Sequence, residues 1–182
     1  IPVAFDGSCS GLQHYSAMLK DPVGATAVNL VPDTKVHDIY GIVADKVNEK
    51  LRVDARGESV DTVKISKKTK QEYIQKSDSS LATEWLNFGM AKYGIRGISR
   101  KETKRSVMTL CYGSKQYGFA EQVYEDTVAP ALFNNPLAFS RPKQASQYLA
   151  KLIWNAVQEV VVKAVEGMQW LQTASSLLAS QK

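Results

Sequence analysis

The chain has 182 residues, enough for one ordinary domain or parts of two, and its hydrophobic content of 44% excludes wholesale disorder. No apolar run approaches the roughly 20 residues that a membrane-spanning helix needs, which argues against an integral membrane protein. The net charge of +5 is clustered. Seven basic residues lie within residues 92–115 against the single acid Glu102, so we expect an anionic partner there.

The first residues predict a strand followed by a helix. The apolar run "IPVAFD" is typical of a buried strand that ends in a tight turn at Gly7. Helical spacing follows from Leu12 to Leu19, with Ser8 or Ser10 available as the cap. The opening "IPVAFDGS" lacks an initiating Met, and we interpret the chain as an internal piece of a larger protein.

A second helix is expected after residue 33, capped by Asp33 or Thr34. Its apolar face would consist of Val36, Ile39, Tyr40, Val43, Val47 and Leu51. Residues 52–80 then lose apolar periodicity and gain five lysines, which predicts either a mobile, solvated insertion or a small exposed ribbon.

The remainder of the chain is predicted to be helical. Helices are expected from Leu81, from about Lys101 to Tyr112, and across residues 117–128. We interpret residues 129–143 as a Pro-rich connection and residues 144–179 as two helices broken near Gly167. The sequence therefore predicts a mainly α fold with a short β element (α+β).

Asp6 is the first candidate for chemistry. A carboxylate at the end of a strand, followed by the small residues of "DGSCSG", is placed where Mg²⁺ could bind, and the Gly7 carbonyl could join the coordination. The structural alternative is that Asp6 only stabilises the N-terminus of the next helix.

The second candidate is the segment "RKETKRSVMTLCYG". Arg100, Lys104, Met108 and Tyr112 recur every four residues and would form one slowly drifting stripe on a helix. Cationic side chains at one end could bind phosphates, Met108 could face a base, and Tyr112 could lie near a sugar. The alternative is a basic amphipathic helix on a solvated face.

Other catalytic signals are weak or absent. His14 and His37 have no second ligand at metal spacing, and neither a nucleophile elbow, a zinc-protease motif nor a P-loop occurs. The two cysteines, Cys9 and Cys111, follow no spacing motif, so a disulfide framework is not expected.

Two stretches together resemble a known family. "AFDGSCSGLQHYSAML" and "RKETKRSVMTLCYGSKQYGF" are similar, in the right order, to motif A and motif B of the single-subunit, phage-type DNA-dependent RNA polymerases. The resemblance covers nearly the whole chain and implies an incomplete right-hand polymerase fold. Residues 1–22 would belong to the palm, and residues 23–182 would form helical fingers with a flexible insertion at 52–80.

The resemblance also implies roles for individual residues. Asp6 matches the motif A metal aspartate, and Gly7 matches the residue that lends a carbonyl. The positions matching those that hold the incoming triphosphate are Arg100, Lys104 and Arg105, and Lys104 matches the residue proposed to protonate the leaving pyrophosphate. Tyr112 matches the tyrosine that selects ribose, and Tyr40 matches a position near the nucleotide.

Two positions favour RNA synthesis over DNA synthesis. Related DNA polymerases carry a bulky Glu where this chain has Gly11, and usually a Phe where it has Met108. The small Gly11 would leave room for a 2′-hydroxyl. A DNA polymerase fragment is thus the less favoured reading.

The resemblance further implies two Mg²⁺ ions, a DNA template, an RNA transcript and ribonucleoside triphosphates, in a monomeric, virus-encoded enzyme of the infected bacterial cytoplasm. The chain ends without the family's second metal aspartate, so the isolated piece is expected to be inactive. The alternative is a non-catalytic nucleic-acid-binding module derived from a polymerase fold.

Overall fold

A computed structural model describes residues 7–180 of the chain. Within them the chain forms nine α-helices and one two-stranded ribbon. In chain order these are α1 (Ser10–Met18), α2 (Pro22–Ala27), α3 (Ile39–Ala55), β1 (Thr62–Ile65), β2 (Glu72–Gln75), α4 (Asp78–Tyr93), α5 (Arg100–Leu110), α6 (Gln116–Val123), α7 (Ala129–Asn134), α8 (Pro142–Val160) and α9 (Val162–Ser180). A π-helical turn, Tyr124–Val128, joins α6 to α7. The predicted mainly α fold is confirmed.

One continuous core lies between α8 and the helices that pack on it, α3, α4 and α6. Trp85 is fully buried, contacts the rings of Phe88 and Phe139, and donates its indole N–H to the Ala145 carbonyl at 3.0 Å. The core therefore ties α4 to the start of α8 through an aromatic cluster.

The β element differs from the predicted one. The strand expected over residues 1–6 lies outside the described residues. The strands that the structure contains form an antiparallel ribbon in which Val63 pairs with Ile74 and Lys64 with Tyr73. Of the two alternatives for residues 52–80, the exposed ribbon is the one found, although α3 extends through Ala55 and α4 begins at Asp78.

The ribbon is anchored at its base. The Gln144 side chain accepts from the Lys76 amide at 2.8 Å and donates to the Ile74 carbonyl at 2.9 Å. Asp61 accepts from the Ser77 amide at 2.8 Å and pairs with the Lys76 ammonium at 2.9 Å. These interactions stabilise the Asp61 carboxylate and lower its pKa. Whether the outer part of the ribbon is flexible stays a prediction.

Two predicted helix starts were wrong. Helix α3 begins at Ile39 rather than near residue 34, because Asp38 accepts from the Tyr40 amide and caps it. Val36, assigned to its apolar face, is 88% exposed. Neither Ser8 nor Ser10 caps α1: the capping position is Cys9, whose backbone is left-handed.

Two breaks near the C-terminal end of the chain also differ from prediction. The connection predicted for 129–143 is shorter, since α7 occupies Ala129–Asn134 with Pro130 near its start. The last two helices separate at Val161 rather than at Gly167. Gly167 lies inside α9, where an added Cβ would be 2.7 Å from Leu19 Cδ1, so this glycine serves close packing.

Candidate nucleotide site

Helix α5 carries four of the nine predicted site residues, and its N-terminus is firmly fixed. Ser99 caps the helix, and the Glu102 side chain accepts a hydrogen bond from the Ser99 amide at 2.8 Å, which completes a capping box. Glu102 is buried and also accepts from the Tyr93 hydroxyl. Burial of the Tyr93 hydroxyl, followed by this hydrogen bond, raises the pKa of Tyr93.

Hydrogen bonds from α3 hold the residue that precedes this cap. The Asn48 side chain of α3 accepts from the Ile98 amide at 2.7 Å and donates to the Ile98 carbonyl at 2.9 Å, with all partners buried. One turn into α5, the Thr103 hydroxyl donates to the Tyr40 carbonyl at 2.8 Å. Helix α3 therefore sets the position from which α5 presents its outer face.

The outer face of α5 carries three of the predicted residues. Arg100, Lys104 and Met108 are all exposed, Met108 by 42%, whereas Val107 and Leu110 on the opposite side are completely buried. Lys104 forms no ion pair with any residue of the described part of the chain. A cation and an apolar side chain are thus available on one helix face.

Tyr112 lies outside the helix. The prediction of a helix to Tyr112 was wrong at this end, because α5 ends at Leu110 and residues 111–113 form a turn with Gly113 at φ 86°. The Tyr112 ring is nevertheless 79% exposed. It is therefore accessible just beyond the outer face of α5.

Arg100 and Tyr40 are brought together. The Arg100 guanidinium pairs with Asp38 at 2.8 Å and lies over the Tyr40 ring, 5.4 Å from its centroid. Burial of the Tyr40 hydroxyl, followed by the neighbouring Cys9, raises the pKa of Tyr40 to about 12. Asp38 thereby both caps α3 and orients Arg100 above Tyr40.

Arg105 is arranged differently from Lys104. Its guanidinium pairs with Glu125 at 3.1 Å and with Asp126 at 2.8 Å, both on the π-helical turn. These carboxylates raise the pKa of Arg105. A phosphate-binding role for Arg105 stays a prediction, and it would require the side chain to exchange these carboxylates for phosphate.

The start of α1 meets the end of α5. A Cβ added to Gly11 would lie 2.6 Å from Cys111 Cβ and 3.0 Å from its sulfur, closer than real side chains approach. Close packing therefore gives Gly11 a reason to be glycine that is independent of sugar selection, which stays a prediction. The contact brings the residue before Tyr112 against the motif A segment.

Asp6 lies outside the described residues, so its position relative to Lys104 stays a prediction. The neighbouring Gly7 carbonyl accepts from the Cys9 amide at 2.9 Å. Within residues 7–180 no three His, Cys, Asp or Glu side chains gather as a metal-binding group. None of the helices in these residues combines the length and the apolar character that a membrane span requires.

Comparison with known proteins decides the family. The model of the family described as DNA-dependent RNA polymerase matches residues 1–182. The chain belongs to this family. It is 50% identical to the T7 RNA polymerase of Escherichia phage T7 and to the DNA-directed RNA polymerase of Enterobacteria phage T3, in each case over 100% of the chain and 20% of the relative.

The match extends to organelle polymerases of the same phage-type, single-subunit group. The chain is 30% identical to the mitochondrial DNA-directed RNA polymerase of Mus musculus, over 98% of the chain and 12% of that protein. It thus spans about a fifth of the length of its phage relatives in the polymerase family. The predicted family resemblance is confirmed.

Sequence reasoning missed three residues that support this candidate site: Asp38, Asn48 and Glu102. The Glu102 signal was present, because "SRKE" is the capping-box pattern of Ser followed three residues later by Glu. Asp38 pairs with Arg100, and Asn48 hydrogen-bonds to Ile98, so each partner lies at least 50 residues away along the chain. No local pattern indicates such pairings.

Proposed function

We propose that this chain is the nucleotide-binding part of a template-directed RNA polymerase. In the complete protein it would help transfer nucleotides from ribonucleoside triphosphates to an RNA 3′ end on a DNA template. The observation that carries the proposal is the outer face of α5, where the exposed Arg100, Lys104 and Met108 lead to the exposed Tyr112.

Each residue on this face has a chemical task. Lys104 and Arg100 would bind the triphosphate, and Lys104 would give a proton to the departing pyrophosphate. Met108 offers an apolar surface for the base, and the Tyr112 hydroxyl would sense the 2′-hydroxyl of the sugar. Arg100 would turn from Asp38 toward phosphate when a nucleotide binds.

Asp6 and Gly7 would hold Mg²⁺, since a carboxylate and a carbonyl form the all-oxygen donor set that this ion prefers. When bound, the ions of the complete enzyme supply positive charge that activates the RNA 3′-hydroxyl and screens the leaving pyrophosphate. The second metal carboxylate would come from outside this chain, so the isolated chain would not polymerise.

The phage relatives support a virus-encoded enzyme, and we infer that it works as a monomer in the cytoplasm of an infected bacterium. The function is tested by extension of an RNA primer on a DNA template by the full-length protein. We expect the nucleotide added to follow the template base. Binding of the hybrid without any extension would favour a non-catalytic nucleic-acid-binding module instead.

Replacement of Tyr112 by Phe should relax the choice of sugar. The variant keeps the exposed ring but loses the hydroxyl, and one hydrogen bond contributes about 1 kcal/mol. We expect the preference for ribonucleotides to fall about fivefold, because deoxyribonucleotide incorporation rises while ribonucleotide incorporation changes little. Competing incorporation of the two nucleotides opposite one template base measures this ratio.

The matched control is Tyr117→Phe. Tyr117 is 74% exposed and lies five residues further along the chain, and the nearby Glu121 carboxylate raises the pKa of its hydroxyl. We expect no change in sugar preference for this variant. An unchanged preference in Tyr112→Phe would remove Tyr112 from sugar selection.

A further inference from the structure

We propose that the β1–β2 ribbon binds the single-stranded RNA that the complete polymerase would release. The proposal rests on the proposed function for the origin of that RNA, but it concerns a different surface. In and beside the tip of the ribbon, residues 66–71, four lysines stand against the single acid Glu72: Lys64, Lys67, Lys68 and Lys70. The chain thus carries a second cationic surface in addition to the outer face of α5.

The four lysines of the ribbon are available to an anionic ligand. All four are exposed, and none of the ion pairs among residues 7–180 includes any of them. By contrast, Lys76 at the base of the ribbon pairs with Asp61 at 2.9 Å. A strand of phosphates bound at the tip would neutralise the unpaired cations and release counterions, which favours binding.

The turn at the tip fixes the backbone from which these lysines extend. The Ser66 amide donates to the Gln71 carbonyl at 2.9 Å, and the Lys70 amide donates to the Ser66 carbonyl at 2.9 Å. The Ser66 hydroxyl accepts from the Thr69 amide at 3.2 Å. The tip is therefore closed by its own hydrogen bonds, and none of them uses a lysine side chain.

An aromatic ring accompanies the cations on one face of the ribbon. Tyr73 pairs with Lys64 in the antiparallel register, and the side chains of paired residues lie on the same face. Tyr73 is 38% exposed, and both residues line a concave surface of about 620 Å³ together with Lys67 and Lys68. An exposed aromatic ring beside cations is typical of surfaces that bind single-stranded nucleic acid, because bases stack on the ring while phosphates meet the charges.

Single-stranded RNA fits this surface better than duplex DNA does. In a duplex the bases stack on one another and cannot stack on Tyr73, whereas an RNA product is single-stranded once it has left its template. The family is that of DNA-dependent RNA polymerase, so RNA is the product of the reaction that we propose. The ribbon would therefore hold the product rather than the incoming nucleotide.

The ribbon is separate from the predicted nucleotide site. Helix α4 starts just after the ribbon and leads to the segment that precedes α5. Its 16 residues extend for about 24 Å. We therefore expect changes in the ribbon to alter the binding of RNA and to leave the KM for the incoming nucleotide unchanged.

The first test measures binding of a fluorescent single-stranded RNA to the full-length protein over a series of salt concentrations. For Lys67→Ala/Lys68→Ala we expect weaker binding and a slope of log K against log [salt] that is smaller by about 1.4, since each neutralised phosphate of a single strand contributes about 0.7. Lys20→Ala/Lys35→Ala removes the same charge from exposed positions outside the ribbon and should leave the slope unchanged. Equal slopes in the two double variants would overturn the proposal.

The role of the ring is tested in the same binding assay. Tyr73→Ala should weaken binding by about tenfold, the scale of one base stacked on an aromatic side chain. Tyr73→Phe keeps the ring and should bind like the wild type. Equal binding by Tyr73→Ala and the wild type would overturn the stacking part of the proposal.

The identity of the bound strand is decided by cross-linking. The full-length protein binds an RNA primer on a DNA template, and a photoreactive thio-substituted base is placed either in a single-stranded 5′ tail of the RNA or in a displaced DNA strand. We expect the RNA tail to cross-link to the peptide that contains residues 62–75. Cross-linking of the displaced DNA strand in its place, or of neither strand, would overturn the proposal. If the protein never extends RNA, the proposed function fails, while the cross-linked peptide still decides the ribbon site.

Discussion

Replacement of Lys104 by Ala should slow nucleotide addition by about 10²- to 10⁴-fold, the range that a positioned proton donor contributes. Lys104 lies on the exposed face of α5, and none of the ion pairs in the described part of the chain includes it. Its ammonium is therefore available to bind a triphosphate. A single-turnover extension assay on the full-length protein, at saturating ribonucleotide, measures the rate of the chemical step.

Lys101→Ala is the matched control for this prediction. Lys101 is also exposed and belongs to the same helix, but it lies three residues earlier and outside the stripe formed by Arg100, Lys104 and Met108. We expect its removal to leave the rate within a few-fold of wild type. Equal losses in the two variants would show that α5 needs only general positive charge, and the specific role of Lys104 would then be wrong.

Replacement of Trp85 by Ala should lower the free energy of unfolding by about 3–5 kcal/mol. The side chain has no exposed surface, contacts Phe139 at 4.7 Å and Phe88 at 5.5 Å between ring centroids, and donates to Ala145. Its removal would leave a cavity and a buried carbonyl without its donor. Urea denaturation followed by circular dichroism measures the loss.

Trp170→Ala provides the comparison, because Trp170 is 69% exposed on α9. Surface substitutions of this kind usually change the free energy of unfolding by no more than about 0.5 kcal/mol. We expect a nearly unchanged urea midpoint. Similar destabilisation in the two variants would contradict the assignment of Trp85 to the centre of the core.

The spacing of apolar residues within a segment was enough to predict several of the helices. Helix α5 was expected from about Lys101 and begins at Arg100, and α4 was expected from the spacing of Leu81, Trp85 and Phe88, all of which are buried. Apolar residues at helical spacing must face a core, so periodicity alone is enough for such elements. The motif A and motif B residues similarly identified the family.

Apolar periodicity did not predict which of several capping residues begins a helix, nor which residues meet in tertiary contacts. Val36 fits the periodicity of α3, yet Asp38 caps that helix and leaves Val36 in solvent. Gly167 resembles a helix breaker, but it admits Leu19 into a packed contact. The Asp38 cap is a local signal that competes with Asp33 and Thr34, whereas the contact between Gly167 and Leu19 joins segments that no local pattern connects.

The same reasoning applies to the candidate site. The cationic stripe could be predicted because its residues recur every four positions on one helix. The pairing of Arg100 with Asp38, the pairing of Arg105 with the π-helical turn, and the contact of Gly11 with Cys111 all join distant segments. These contacts decide which cations are already paired and which side chains are accessible.

The most direct measurement of the central claim is Mg²⁺-dependent extension of an RNA primer on a DNA template by the full-length protein, with wild type compared with Asp6→Asn. The substitution keeps the size of the side chain and removes the negative charge that would hold the ion. We predict ribonucleotide extension by the wild type and its collapse in Asp6→Asn, with binding of the hybrid retained. Equal extension by both proteins would contradict the assignment of Asp6 to the metal site, and a wild type that binds the hybrid without extending it would contradict the polymerase itself.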